Sequence, residues 1–409
     1  METPQTSERG VLGKLPRNIW IMTLTSFLTD ISSEMVLNLL PLYLANVLGA
    51  STAVIGLIEG IAETCASLLK GISGWLSDKL QQRKWLAVAG YGLSALSKPF
   101  LYVASTWQAV LAVRASDRIG KGIRTSPRDA LIADTIDERH RGTAFGLHRA
   151  GDTAGAFTGL VIALVVVLIM QAQKVDLSRS TFQLLVLISI LPAILSVIVL
   201  AFGAKDVALK VKAEQVRLNF MALDSRFRGF LFILAIFTLG NSSDAFLVLL
   251  AQQRGLSIAG VLGMLITFNA VYALLAGPAG ALSDRVGRRR LMIMGWLAYA
   301  ILYLGFAITI SAWQIWALYA LYGLYYAATE GAAKALVADL VPSEQRGTAY
   351  GYYNAAIGIM ALPASLLAGI LWQGFGPSAP FVAGFALALT AGILLLLWFQ
   401  RTQQARGNG

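Results

Sequence analysis

The chain has 409 residues, 56% of them hydrophobic and only 13% charged, with a formal net charge of +11 and a mean hydropathy of +0.66. Soluble domains carry about 25% charged residues, so this composition excludes a water-soluble globule and points to lipid as the solvent. A single cysteine, Cys65, excludes an intramolecular disulfide framework and a cysteine metal centre, and two histidines, His140 and His148, leave little for zinc.

A helix that crosses a bilayer needs about 20 mainly apolar residues. Twelve such segments follow one another: Ile19–Val47, Val54–Trp75, Trp85–Ala104, Gln108–Ile132, Gly142–Met170, Phe182–Phe202, Gly229–Ala251, Ile258–Leu282, Leu291–Ile310, Trp313–Val337, Gly347–Trp372 and Pro380–Trp398. Met1–Arg17 is polar without a cleavage-type motif, and the apolar run after it is too long for an h-region, so no signal peptide is read. Connections are short except for one polar stretch. We therefore expect an all-α membrane protein with a six-helix bundle over 1–203, a cytoplasmic linker over 204–228 and a second six-helix bundle over 229–409.

Basic residues set the expected orientation. If the amino terminus is cytoplasmic, that side receives 21 Lys and Arg and the opposite side 3, namely Lys174, Arg179 and Arg254; the other 9 of the 33 lie inside the segments. This positive-inside bias favours both termini in the cytoplasm, in an inner membrane. It also accounts for the net charge without nucleic acid as a partner.

The halves repeat each other. Gly74–Lys84 (GWLSDKLQQRK) matches Gly280–Arg290 (GALSDRVGRRR), and Ala130–Gly146 matches Ala335–Gly351 at nearly the same offset. A weaker match pairs Ser32-Ser33-Glu34 with Ser242-Ser243-Asp244. A parallel duplication of this kind places a pseudo-two-fold axis along the membrane normal.

The loop G-x-L-S-D-[KR]-x-x-x-R-[KR] between segments two and three, repeated between eight and nine, resembles the signature loop of the major facilitator superfamily, with Gln81 where a glycine is usual. Asp30–Met35 (D-x-S-S-E-M) and Asp117–Ala130 (D-R-x-G-K-G-I-R-x-x-P-R-D-A) resemble a poorly characterised bacterial and archaeal group of transporters similar to drug and metabolite exporters. Gly151, Gly155 and Gly159 are similar to a glycine-rich antiporter motif, without its proline. The resemblance implies the twelve-helix fold of that superfamily, alternating access, and proton-coupled efflux of a small organic solute by antiport. It also implies that segments one, four, seven and ten line the cavity.

Segment four carries the strongest single signal. Arg114, Asp117, Arg118, Lys121, Arg124 and Arg128 fall within roughly 140° on a helix, with Asp129 beside them. Such a stripe cannot face lipid, where each charge costs several kcal/mol. Asp30 and Glu34 share a face of segment one; Glu59, Glu63 and Lys70 form a stripe on segment two; Lys98 lies in segment three; His148, Arg149 and Asp152 lie in segment five. The near-balance of charge predicts that most of these groups pair with one another. Asp30 and Glu34 are the proton-coupling candidates. Arg114, Asp117, Arg118, Lys121, Arg149, Asp152, Asn241, Asp244, Tyr326 and Glu330 are the cavity candidates, His148 is expected to hydrogen-bond Asp152, and Gly120 and Gly122 are expected to allow close packing. The alternative is a proton-coupled importer of an anionic metabolite held by the basic residues of segment four.

The repeated loops suggest a cytoplasmic gate built from Gly74, Asp78, Lys79, Arg83, Asp134, Arg141, Gly280, Asp284, Arg285, Arg288, Asp339 and Arg346. In it, Asp78 and Asp284 cap helix starts at Gly347 and Gly142 of the opposite half, where the helix dipole favours a carboxylate. No nucleophile–base pair, nucleotide loop or metal cluster is read, so neither an enzyme nor a cofactor is expected. The expected partners are a small-molecule substrate, protons and the bilayer, with the chain itself a monomer.

Overall fold

A computed structural model describes residues 15–80, 82–137, 140–207, 224–342 and 346–407, except for the side chains of 279–285, 347 and 402–407. Every regular element among these residues is a helix. This is the outcome expected in lipid, where a helix satisfies its own backbone polar groups. α1 (Arg17–Leu37) and α2 (Leu40–Asn46) form the first span, and α3 (Thr52–Leu80) the second. α4 (Arg83–Ser97) and α5 (Pro99–Val103) form the third, α6 (Trp107–Thr135) the fourth, α7 (Arg141–Gln171) the fifth and α8 (Arg179–Gly203) the sixth. The second half follows with α9 (Ser225–Gly240) and α10 (Ala245–Gln253), α11 (Ile258–Val286), α12 (Arg288–Ile308), α13 (Ala312–Leu340), α14 (Arg346–Phe375) and α15 (Ala379–Gly407).

Among the described residues, eight spans are long and apolar enough to cross a bilayer by length and composition; the first, third, fourth and tenth are not among them. The reasons are local. The third span breaks before Pro99, which cannot donate a backbone hydrogen bond, and the fourth carries the charged stripe. The first and seventh spans, expected as single segments, are each split, at Asn38–Leu39 and at Asn241–Asp244. α9 starts at Ser225 because the Asp224 carboxylate accepts a hydrogen bond from the Arg226 backbone at 2.7 Å.

Close helix packing depends on missing side chains. A Cβ at Gly120 would come within 2.6 Å of the Gly90 carbonyl, and one at Gly122 within 2.6 Å of Leu69, so α6 lies directly on α4 and α3 as expected. Between the halves, α3 packs on α14 in the same way. A Cβ at Gly60 would lie 2.8 Å from Leu362 Cα, one at Gly56 would run into the Ser365 carbonyl, and Thr52 Oγ1 donates to Gly369 O at 3.0 Å. These contacts occupy Thr52–Ser67 of α3, the part of the helix away from the end where α1 begins and α15 finishes.

The same distal end holds a polar seal. Gln252 donates to Asn46 Oδ1 at 2.7 Å and to the Val175 carbonyl at 2.8 Å, and the Ile258 backbone donates to the Lys174 carbonyl. At the other, basic end α3 exposes Leu68, Ile72 and Trp75, and the space where side chains would stand at Gly142 and Gly146 is open.

Candidate functional site

Between the halves lies a cavity of about 550 Å³. Its first-half wall consists of α1 (Asp30, Ser33, Glu34), α3 (Glu59, Glu63) and α6 (Arg114, Asp117, Arg118, Lys121, Arg124). The second-half wall is built around the broken seventh span, with Asn241, Ser243 and Asp244, and is completed by Phe268, Tyr319 and Tyr326. Spans one, four, seven and ten reach it, as the resemblance implied, and spans two, eight and eleven do so as well. The two breaks supply polar groups to the cavity. At the first, Asn38 Nδ2 donates to Glu34 Oε2 at 2.6 Å; at the second, Asn241 Oδ1 accepts from Tyr299 Oη at 3.0 Å and the Asp244 carboxylate from Tyr322 Oη at 3.0 Å.

The charges pair less than the sequence suggested. Arg114 is bound to Glu59 at 2.9 Å and lies 3.9 Å from Asp117, and Arg128 pairs with its neighbour Asp129 at 2.8 Å. Lys98, 2% exposed, instead donates to the hydroxyls of Ser32 and Ser33. Arg124 donates to Ser94 Oγ at 2.7 Å and lies over the Tyr91 ring. Among the described residues Arg118 and Lys121 make no ion pair within 4.0 Å, and Arg118 Nε has no hydrogen-bond partner. Hydroxyls and a ring face have taken places where carboxylates were expected, an outcome that linear spacing cannot reveal. The His148 ring also fails to hydrogen-bond Asp152, standing 3.7 Å from it.

Of the cavity candidates, Arg114, Asp117, Arg118, Lys121, Asn241, Asp244 and Tyr326 line the chamber, as do Asp30 and Glu34. Arg149, Asp152 and Glu330 are not among the lining residues. Arg149 and Glu330 bridge the halves instead: Arg149 donates to Tyr272 Oη at 2.8 Å, Tyr272 donates to Glu330 Oε2 at 2.6 Å, and Lys334 lies 3.2 Å from Glu330. Not proposed from the sequence as site residues were Glu59, Glu63 and Arg124, although the spacing of the two glutamates on one stripe was visible there. Phe268 and Tyr319, adjoining Tyr326 and Tyr322 in an aromatic cluster, were missed entirely.

The loops at the basic end pair within each half. Arg83 binds Asp78 at 2.8 Å and also Asp134; Arg288 binds Asp339 at 2.7 Å. Arg83–Asp134 and Arg288–Asp339 join the same two segments in each half, and Asp134 and Asp339 are repeat counterparts, although the loop match places Arg289 opposite Arg83. Asp78 therefore does not cap the helix that begins near Gly347 in this structure. Its carboxylate is held by the Arg83 guanidinium of its own half. Gly74 packs against Ser126, Lys79 stacks on Trp75, Arg141 donates to the Ala133 carbonyl and Arg346 is exposed. The expectations for Gly280, Asp284 and Arg285 fall outside the described side chains.

Comparison with known proteins matches this architecture to one family. The family model described as Major Facilitator Superfamily matches residues 22–270 and 230–409. An uncharacterized MFS-type transporter of Methanocaldococcus jannaschii is 36% identical over 389 residues, covering 94% of this chain and 95% of that protein. The multi-drug resistance efflux pump PmrA of Streptococcus pneumoniae is 24% identical over 330 residues, covering 80% of this chain and 82% of the pump. Among solved structures, a bacterial homolog of the human lysosomal transporter Spinster, in an inward-facing and occupied conformation, superposes with a TM-score of 0.72 at 15% identity, over 98% of both chains. The chain belongs to the major facilitator superfamily of multi-pass membrane transporters.

Proposed function

We propose that the protein is a proton-coupled secondary transporter that works by alternating access and exports a small organic solute that is cationic or neutral. The observation that carries this reading is the charge of the chamber. Six carboxyl groups line it (Asp30, Glu34, Glu59, Glu63, Asp117 and Asp244) against four cations (Arg114, Arg118, Lys121 and Arg124). An excess of carboxyls suits proton binding and a cationic solute and opposes an anion. Asp30 and Glu34 are the proton-coupling residues in this reading. The positive-inside bias supports a cytoplasmic location for the basic end and for both termini, in the inner membrane. The distal seal, with exposed helix faces at the basic end, supports an inward-facing state. The ion pairs Arg83–Asp134 and Arg288–Asp339, each closed within its own half, fit that state, and we assign gate closure to their partial exchange for contacts between halves. The unpaired Arg118 and Lys121 favour the second reading, import of an anionic metabolite.

Two measurements separate these readings. Ligand binding to the folded state raises its apparent melting point, by about 2.7 kcal/mol of stabilisation at 100 times Kd. Ethidium is expected to stabilise the purified protein and benzoate not to; the reverse favours the anion reading. In proteoliposomes an imposed pH gradient is expected to drive ethidium movement, and Asp30→Asn and Glu34→Gln are expected to abolish that response. If both variants still respond, the proton assignment is wrong.

A further inference from the structure

His148 and Asp152 have no place in the chamber, yet His148 is buried against a half-buried Asp152. His148 is 4% exposed, and neither ring nitrogen has a hydrogen-bond partner among the described residues. Its Nε2 lies 3.7 Å from Asp152 Oδ1, which also lacks one. A buried imidazole that faces a buried carboxylate oxygen, neither with a hydrogen-bond partner, is costly in an apolar protein interior. A purely structural brace between them would close to hydrogen-bond distance.

Their position follows from the way α7 lies on α1. Cβ atoms added at Gly151, Gly155 and Gly159 would strike Thr23, Phe27 and Ile31 in turn, which fixes the register of the two helices. Both helices start at the basic end and run parallel. At about 100° per residue, His148 and Asp152 stand roughly 60° and 100° to one side of Gly151. Asp30 stands roughly 60° to 100° to the other side of Phe27 and Ile31. For parallel helices face to face, those opposite rotations bring the side chains to the same side of the seam. At 1.5 Å per residue, the same register puts His148 roughly 6 Å nearer the basic end than Asp152, and Asp30 roughly 9 Å farther in.

We infer that His148 and Asp152 form a proton relay that connects Asp30 in the chamber with the basic face of the protein. A proton arriving at Nδ1 releases the proton on Nε2 to Asp152; Asp152 passes it through water to Asp30, and tautomer exchange returns the ring to its first state. One proton moves and no group changes its final charge except the acceptor, Asp30. The groups that face the relay from the neighbouring helices fit this path. Around the ring stand Arg128 and Asp129 of α6, paired with each other at 2.8 Å, and Arg149 of α7, turned toward Tyr272. Arg128 also reaches Ser26 of α1. Around Asp30 stand Glu34 of α1, Lys98 at the break between α4 and α5, Lys121 and Arg124 of α6, and Asp152 itself.

This inference rests on the proton-coupling reading, and the test separates the two. The chain has only two histidines, so the full-length protein with His140→Gln and 15N-labelled histidine gives one imidazole in the NMR spectrum. The relay requires the His148 ring to switch tautomer or charge between pH 4.5 and 9. It also requires the midpoint to move by at least about half a pH unit in Asp30→Asn, on a different helix, as well as in Asp152→Asn. If Asp152→Asn does not fold, Asp30→Asn carries the test. A ring fixed in one state across the range, or a midpoint indifferent to Asp30→Asn, overturns the relay even if a pH gradient drives transport. A ring that switches with Asp30 while an imposed gradient moves no ethidium supports the relay and removes the coupled-export reading alone.

Discussion

The seam between α3 and α14 offers the sharpest quantitative test of the fold. A Cβ at Gly60 would lie 2.8 Å from Leu362 Cα and 2.9 Å from Leu362 Cδ1, where carbon atoms prefer about 3.5–4.0 Å. The nearest obstacle is backbone, so Gly60→Ala cannot be accommodated by turning a side chain and must push α14 away by several tenths of an ångström. Overpacking of this kind costs about 1–3 kcal/mol. The cost falls on the conformation in which this part of the seam is closed. With about 1.4 kcal/mol per factor of ten, the substitution should shift the conformational equilibrium away from the distally sealed state by roughly 5- to 150-fold. The assay is double electron–electron resonance between spin labels at Leu80→Cys and Gly351→Cys, both exposed at the basic end, in a Cys65→Ala background. The population at short separation should grow in Gly60→Ala. Gly71→Ala is the control, since its added Cβ would meet nothing within 4 Å. An unchanged distance distribution in Gly60→Ala, or an equal shift in the control, would refute the argument that backbone contact at this seam holds the distal end shut.

Three further outcomes follow from named contacts. Glu59→Gln leaves the 4%-exposed Arg114 with Asp117 alone at 3.9 Å, and loss of a buried partner of this kind costs about 3–5 kcal/mol, so thermal unfolding in detergent should show a large drop. A melting temperature within a degree of the parent would mean that Asp117 closes on Arg114 to replace it. Tyr272→Phe removes the hydroxyl between Arg149 and Glu330, but Arg149 is 57% exposed and the two are already 3.6 Å apart, so stability should change by less than about 1 kcal/mol; a larger loss would show that the bridge is shielded from solvent. Gly120→Ala puts a Cβ within 2.6 Å of the Gly90 carbonyl and should destabilise by about 1–3 kcal/mol, whereas Gly92→Ala on the same packed pair of helices, with open space around it, should be neutral in the same melt.

The duplicated ion pair shows how a repeat acquires meaning only in three dimensions. Asp134 and Asp339 are visible in the sequence as corresponding positions, and each half has basic residues in the matching loop, but the partners lie about fifty residues apart. Each half folds its own copy onto itself, so the basic loops serve each bundle before they can serve a gate between bundles. Arg149 and Glu330 reverse that lesson. They were expected to face the solute, and both instead meet the Tyr272 hydroxyl of α11, Arg149 from α7 across the halves and Glu330 from α13.

Transfer free energies along short windows suffice to reveal the twelve spans and the charged stripe Arg114–Arg128, because each residue's preference for lipid or water is local and the helix period is fixed, and matched motifs at one offset reveal the duplication. The linker expected over 204–228 lies largely outside the described residues. Partner choice is not local. Lys98 meets Ser32 and Ser33 and not a carboxylate, Arg124 lies over Tyr91, and Phe268 and Tyr319 complete the chamber, because each pairing joins helices distant in sequence whose relative tilt depends on glycines fitting against backbone. Only the tertiary structure decided those contacts, and with them which end of the seam is sealed.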